Sequence, residues 1–341
     1  VRRNLELILA NKVLLIVVEP KVHIRQSFSI SVFFLSVFFY PLLMAENQKA
    51  EEMELNLVPV SGMDYKEATI YGLVEGVTEF LPISSTGHLV LVSEMMRSRD
   101  QSREMNQAIN AYLIVIQAGA ILAVALIYRR ELWSILLGIL GLDPRGKRLG
   151  INLITAFIPA ALLGPFLDDL IENLLFGLLP IALALFFGSI LMFWAESRKK
   201  ASGTMGVTEP EKTLEDLNFK SSLFIGLMQC FAMWPGTSRS MMTIVGGYLV
   251  GLERAKAAEF SFLLGLLTLS AAACYKGMTK WEVMKLNLEF GPVLAGCLVA
   301  GVSAAVSVVW LVGYLSKRGL GIFVWYRIIL SAVVLSIYLM K

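Results

Sequence analysis

The chain has 341 residues, 56% of them hydrophobic and 17% charged, with a net charge of +3 at neutral pH. A mean hydropathy of +0.68 excludes an ordinary soluble domain and places the chain among multi-pass membrane proteins. The small net charge argues against a nucleic-acid partner. The three cysteines, Cys230, Cys274 and Cys297, stand in apolar segments without the spacing of a zinc site or a disulfide framework.

The N-terminus is unusual. Residues 21–46 carry a basic flank (Lys21, His23, Arg25), an apolar stretch from Phe28 to Leu43 and then Met44-Ala45-Glu46. That order fits a secretory signal peptide, a lone anchoring helix or an upstream misplaced start, since Met44, Met53 or Met63 could each initiate. Residues 1–62 are therefore set aside as an N-terminal extension. The remainder, 63–341, reads as a single membrane domain.

Two segments, 65–97 and 218–252, are apolar but broken in the middle by Pro, Ser, Thr and charged residues. Each half is too short to span a hydrocarbon core of about 30 Å. Together the halves suit a helix–loop–helix hairpin that enters the membrane and turns back, tolerable only where protein or a cavity satisfies the bent backbone. Six uninterrupted spans accompany them, at about 107–128, 148–168, 176–195, 258–276, 291–315 and 321–340. The expected fold is an all-α polytopic membrane protein with six transmembrane helices and two re-entrant hairpins.

Loop charges give an orientation. Arg129, Arg130, Arg145, Lys147 and Arg148 share a side with Arg198, Lys199 and Lys200, whereas the connection Asp168-Asp169-Leu170-Ile171-Glu172 is acidic. Arg254, Lys256, Lys317 and Arg318 join the basic side if both hairpins re-enter without crossing. The positive-inside rule puts that side in the cytoplasm. The first hairpin then enters from outside and the second from inside, and Arg97, Arg99 and Arg103 are left on the outer side as a difficulty.

The halves resemble each other. Gly72-Leu73-Val74-Glu75 through Pro82 and Ser84-Ser85-Thr86 parallels Gly226-Leu227-Met228-Gln229 through Pro235 and Thr237-Ser238-Arg239-Ser240, with a gap of one residue. Repeat 1 (65–196) and repeat 2 (218–340), joined by a polar linker at 197–217, have the organisation of an inverted-topology repeat. In such proteins broken helices meet near the midplane to form the binding site.

The hairpins hold the chemistry. Charges cost roughly 2.5–3.5 kcal/mol at the centre of a membrane helix, so those that occur there face a cavity, a partner or a metal. Glu75 and Glu79 are one turn apart on one helix face and repel each other unless something compensates. A divalent cation, Mg²⁺ or Ca²⁺, is the expected compensation, with both glutamates as ligands. Pro82 ends the first helix, and Ser84, Ser85 and Thr86 supply a new N-cap together with hydroxyls for a ligand. His88 follows one turn on. In the second hairpin Gly236 admits close backbone approach, and Arg239 presents a planar fork suited to phosphate oxygens. Ser238, Ser240 and Thr243 surround it. The set suits a phosphate or diphosphate group carried by a lipid.

The motifs Glu75-Gly-Val-Thr-Glu79-Phe-Leu-Pro-Ile-Ser-Ser-Thr-Gly-His88 and Pro235-Gly-Thr-Ser-Arg-Ser240 resemble the two signature regions of undecaprenyl pyrophosphate phosphatases of the bacitracin-resistance type, over about 64–340. The resemblance implies a metal-dependent membrane hydrolase that converts undecaprenyl diphosphate to undecaprenyl phosphate and inorganic phosphate, recycling the carrier for cell-wall polymers. It implies a bacterial cytoplasmic membrane location with the site facing outward. The bilayer and a polyprenyl diphosphate are the expected partners, with a homodimer left open. On this reading Ser85 is the nucleophile with Glu79 as its base, His88 is a general acid or stabilises the leaving phosphate, and Arg239 stabilises developing charge. Ser84, Thr86, Ser238, Ser240 and Thr243 bind phosphate. A rival scheme makes His88 the nucleophile, and a rival function is a transporter or flippase of the lipid phosphate. Met241 stands where Gly is expected, a change that tightens packing in the second loop.

Overall fold

The structure, a computed structural model, describes residues 63–96, 103–204, 212–279 and 289–340. The N-terminal extension 1–62 and Arg97 and Arg99 lie outside the described residues. Among those residues the regular structure is helical, without a strand. The first broken segment forms α1 (Tyr65–Thr78) and α2 (Ser85–Met96). Then come α3 (Arg103–Ile127), α4 (Arg129–Ile139), α5 (Pro144–Leu175) and α6 (Leu178–Thr204). A 3₁₀ turn at Leu214–Asp216 precedes the second broken segment, α7 (Phe219–Phe231) and α8 (Arg239–Leu249). The chain continues through α9 (Arg254–Thr279), α10 (Phe290–Leu315) and α11 (Gly321–Leu339).

Helices coincide with all six expected spans. Five have the length and apolar character to cross a bilayer: α5, α6, α9, α10 and α11. The sixth, α3, is apolar over Tyr112–Ile127 and bends by 77° into α4. Helix α4 is new relative to the sequence reading, which treated the region as a basic loop. It has Trp133, Leu136 and Ile139 exposed beside Arg129 and Arg130, the character of a helix lying in the membrane interface. Asp143 caps α5 through the amides of Arg145 and Gly146 and accepts from Ser134 Oγ at 2.5 Å, which ties α4 to α5.

Burial follows lipid rather than water. On α10, Leu298, Val302, Val306 and Val309 recur at helical spacing and are all exposed, while Ala300, Ala304, Val308 and Leu311 are buried. An apolar outer stripe costs nothing against hydrocarbon, so the buried stripe can use small residues that let helices approach. The broken helices exploit this: a Cβ added to Gly72 would lie 2.5 Å from the Gly296 carbonyl oxygen, and one added to Gly226 would lie 2.3 Å from that of Ala156. Thus α1 packs on α10, and α7 packs on α5. Each broken segment's first helix leans on a span that follows the other broken segment.

On the basic side, buried Glu196 at the end of α6 receives Arg254 Nη2 at 2.9 Å and the Leu320 amide at 3.1 Å. One carboxylate thereby joins α6, α9 and the α10–α11 turn. Lys212, from the 197–217 stretch, pairs through its backbone with Gly251 and Glu253.

Candidate phosphate site between the broken helices

Both breaks are built alike. Ser84 and Ser238 precede α2 and α8 with φ of 73° and 77°, the left-handed region. Ser84 Oγ accepts from the Gly87 amide and Ser238 Oγ from the Met241 amide, each at 3.3 Å. Two non-glycine residues in that region mark a backbone held by its surroundings. The spacing from Gly72 to Ser84 equals that from Gly226 to Ser238. The gap in the sequence alignment came from matching the prolines, whereas the capping serines align the halves without one.

The two turns meet. Arg239 Nη2 lies 3.2 Å from Glu79 Oε1, and its guanidinium sits over the Phe80 ring, 5.5 Å from the centroid. Ser240 Oγ donates to the Leu81 carbonyl at 2.7 Å and is 3.1 Å from Ser238 Oγ. Arg239 Nη1 donates to the Ser261 carbonyl at 3.2 Å, and Thr243 Oγ1 is 2.6 Å from Ser261 Oγ. Gly236, with φ of 96°, makes the tight turn against Ile181 that a side chain would block. Met241 is buried in the core behind the turn.

On the first turn Ser85 Oγ donates to Glu79 Oε2 at 2.6 Å, the contact that hydroxyl activation by a base requires. Glu75 Oε1 accepts from Gln117 Nε2 at 3.1 Å, while its Oε2 is buried without a hydrogen-bond partner. Arg239 Nε is likewise buried and unpartnered. One acceptor and one donor thus lie open beside a serine–carboxylate pair. His88 Nδ1 is 2.7 Å from the Ser84 carbonyl and Nε2 is 2.6 Å from Tyr326 Oη. Thr86 is half-buried in the first turn of α2, and is the one expected site residue without a hydrogen bond into this set among the described residues.

An open groove of about 480 Å³ has His88 in its lining, together with Leu73 and Val77 of α1, Leu81, Trp310 of α10 and Ile322, Phe323 and Tyr326 of α11. Its lining is almost wholly apolar, so it suits a hydrocarbon chain lying beside the histidine. Gln117, Ser261, Tyr326 and Arg327 belong to neither signature motif. Arg327 carried the clearest signal, an unexplained charge inside a span, and Gln117 a weaker one of the same type.

The helices and the paired turns define a multi-pass membrane protein with a buried polar site between its two broken segments. Residues 68–333 match the family described as bacitracin resistance protein BacA, and the chain belongs to that family. It is 40% identical over 270 residues to undecaprenyl-diphosphatase 2 of Rhodospirillum rubrum, covering 79% of this chain and 93% of that protein. Identity to an undecaprenyl-diphosphatase of Pseudomonas fluorescens is also 40% over 270 residues, covering 79% and 92%. Undecaprenyl-diphosphatase 2 of Shewanella oneidensis is 35% identical over 271 residues, covering 80% and 97%.

Proposed function

We propose that this protein is an undecaprenyl-diphosphate phosphatase of a bacterial cytoplasmic membrane, with Ser85 as nucleophile. The observation that carries the mechanism is the 2.6 Å contact of Ser85 Oγ with Glu79 Oε2, inside a cluster completed by Arg239 from the other half. Ser85 Oγ attacks the terminal phosphorus and its proton passes to Glu79. The bond from that phosphorus to the bridging oxygen breaks, releasing undecaprenyl phosphate. Water then cleaves the phosphoserine to give inorganic phosphate and free Ser85. Arg239 and the N-termini of α2 and α8 hold the negative charge that develops.

His88 serves the leaving side. Both its nitrogens are engaged, by Ser84 and Tyr326, which disfavours it as nucleophile. In its charged form the ring stabilises the departing phosphate through its charge, while Nδ1 stays on the Ser84 carbonyl and Nε2 on Tyr326 Oη. The prenyl chain lies in the apolar groove that this ring helps to line. Ser238, Ser240 and Thr243 shape the phosphate-binding turn.

A divalent cation, Mg²⁺ or Ca²⁺, fits the donor set as a half-site. Glu75, through its unpartnered Oε2, and Glu79, one turn on, would hold it. No cluster of three or more His, Cys, Asp or Glu exists among the described residues, so oxygens of the substrate would complete the shell. When bound, the ion supplies neutralisation of phosphate charge. With the basic loops in the cytoplasm, the site opens to the outer side.

The test is phosphate release by purified protein from a C55 or C15 prenyl diphosphate, with Mg²⁺ or Ca²⁺ and with chelator. Release that chelation abolishes and either ion restores is expected. Folded protein that binds the lipid and releases no phosphate overturns the reading.

A further inference from the structure

The last helix brings two consecutive side chains to the site, and neither signature motif contains them. Tyr326 Oη is 2.6 Å from His88 Nε2, and the two rings stack with centroids 5.6 Å apart and planes 10° apart. His88 Nδ1 faces the Ser84 carbonyl. A carbonyl only accepts, so Nδ1 carries a proton, and in the neutral ring Nε2 accepts from the Tyr326 hydroxyl. When Nε2 is protonated the same hydroxyl can accept instead, so the contact survives both states of the imidazole.

Arg327 is 0% exposed. Its Nη2 donates to the carbonyls of Ala184 and Leu185 on α6 at 3.2 and 3.4 Å and to that of Gly236 in the second turn at 3.2 Å. A Cβ on Gly188 would lie 2.3 Å from Nη2, so the glycine leaves the room the guanidinium fills. Arg327 Nε and Nη1 are buried without partners. A buried cation whose hydrogen bonds all go to carbonyls among the described residues is a costly way to hold a loop. The charge is better explained by the anion that the loop binds. Successive residues on a helix point about 100° apart, which is how α11 reaches α2 with one side chain and the 235–238 turn with the next.

We infer that Tyr326 and Arg327 are positioning residues, one holding His88 in the first turn and the other holding the phosphate-binding second turn, so that a single helix aligns both halves of the site. The inference rests on the phosphatase reading for its kinetic consequences, and on the two contacts alone for its spectroscopic one.

Tyr326→Phe keeps the ring and removes the hydroxyl. The chain has two histidines, so ¹⁵N-histidine labelling of a His23→Gln background leaves one imidazole to observe. In Tyr326→Phe the Nε2 resonance is expected to move toward that of an unbonded acceptor. Its kcat is expected to fall about tenfold with KM nearly unchanged, the signature of misplacement rather than lost binding. Arg327→Lys keeps the charge and loses the planar fork. Inhibition by inorganic phosphate should weaken about tenfold, and an inhibition constant reads only folded enzyme, so a loss of folded protein cannot imitate it. Unchanged His88 resonances and kcat in Tyr326→Phe, or unchanged phosphate inhibition and kcat in Arg327→Lys, would overturn the inference. Wild-type protein that releases no phosphate defeats the phosphatase reading alone, and the ¹⁵N spectrum of Tyr326→Phe then decides whether Tyr326 holds His88.

Discussion

Ser85, Glu79 and Arg239 form a relay in which one carboxylate is shared between a hydroxyl and a guanidinium that come from opposite halves of the chain. Removing either charged member strands the other in a poorly hydrated place, which costs more than the contact itself contributes. Glu79→Gln and Arg239→Ala should therefore each lower kcat/KM by about a hundredfold or more. The double variant should lose much less than the product of the two losses, because the residues act as a unit. Steady-state phosphate release by the three proteins checks this, and independent, multiplying losses would contradict it. Much of this chemistry was legible in the sequence, because Glu75, Glu79, His88 and Arg239 are polar residues in segments built for lipid. Their partners were not. Tyr326 is 238 positions from His88, and no local spacing rule links residues so distant.

At the scale of elements, the site exists because two helices stop early and restart from a strained serine. Ser238 combines a left-handed backbone with an N-cap, so substitutions separate the two contributions. Ser238→Ala keeps the strain and loses the cap, a destabilisation of about 1 kcal/mol or more, while Ser238→Gly loses the cap but relaxes the backbone. Thermal unfolding in detergent should rank wild type above Ser238→Gly and Ser238→Ala lowest. Close helix contacts give a second prediction. Gly72→Ala places a carbon 2.5 Å from the Gly296 carbonyl oxygen, whereas a Cβ on Gly164 meets nothing within 4 Å. The first should destabilise by about 1–3 kcal/mol and the second should be neutral or slightly stabilising. Proline and serine inside apolar runs announced both breaks. Helix α4 is masked in the sequence by Arg129 and Arg130, which read as loop charges, although Trp133, Leu136 and Ile139 recur at the spacing of an interfacial helix.

Across the whole molecule, each half is incomplete without the other. Helix α1 has its packing surface on α10 and α7 has its surface on α5, while α11 spans from His88 to the Gly236 turn. The six spans could be read from hydropathy, since lipid selects long apolar runs independently of fold. Which helix packs on which could not, because the close contacts that decide it, Gly72 on Gly296 and Gly226 on Ala156, are made by small residues with no sequence signal of their own. Orientation follows from loop charge. In intact cells, a single cysteine at Ser197 in an otherwise cysteine-free protein should resist a membrane-impermeant maleimide, and one at Leu170 should react. The reverse labelling would place the site on the cytoplasmic side.

The chemistry turns on Ser85 acting as nucleophile with Glu79 as its base. Phosphate release by Ser85→Ala, compared with wild type at saturating prenyl diphosphate and Mg²⁺, tests it most directly. The kcat should be lower by about a thousandfold or more, with the lipid still bound at close to wild-type affinity. Turnover by Ser85→Ala near the wild-type rate would contradict it and return the nucleophile's role to His88.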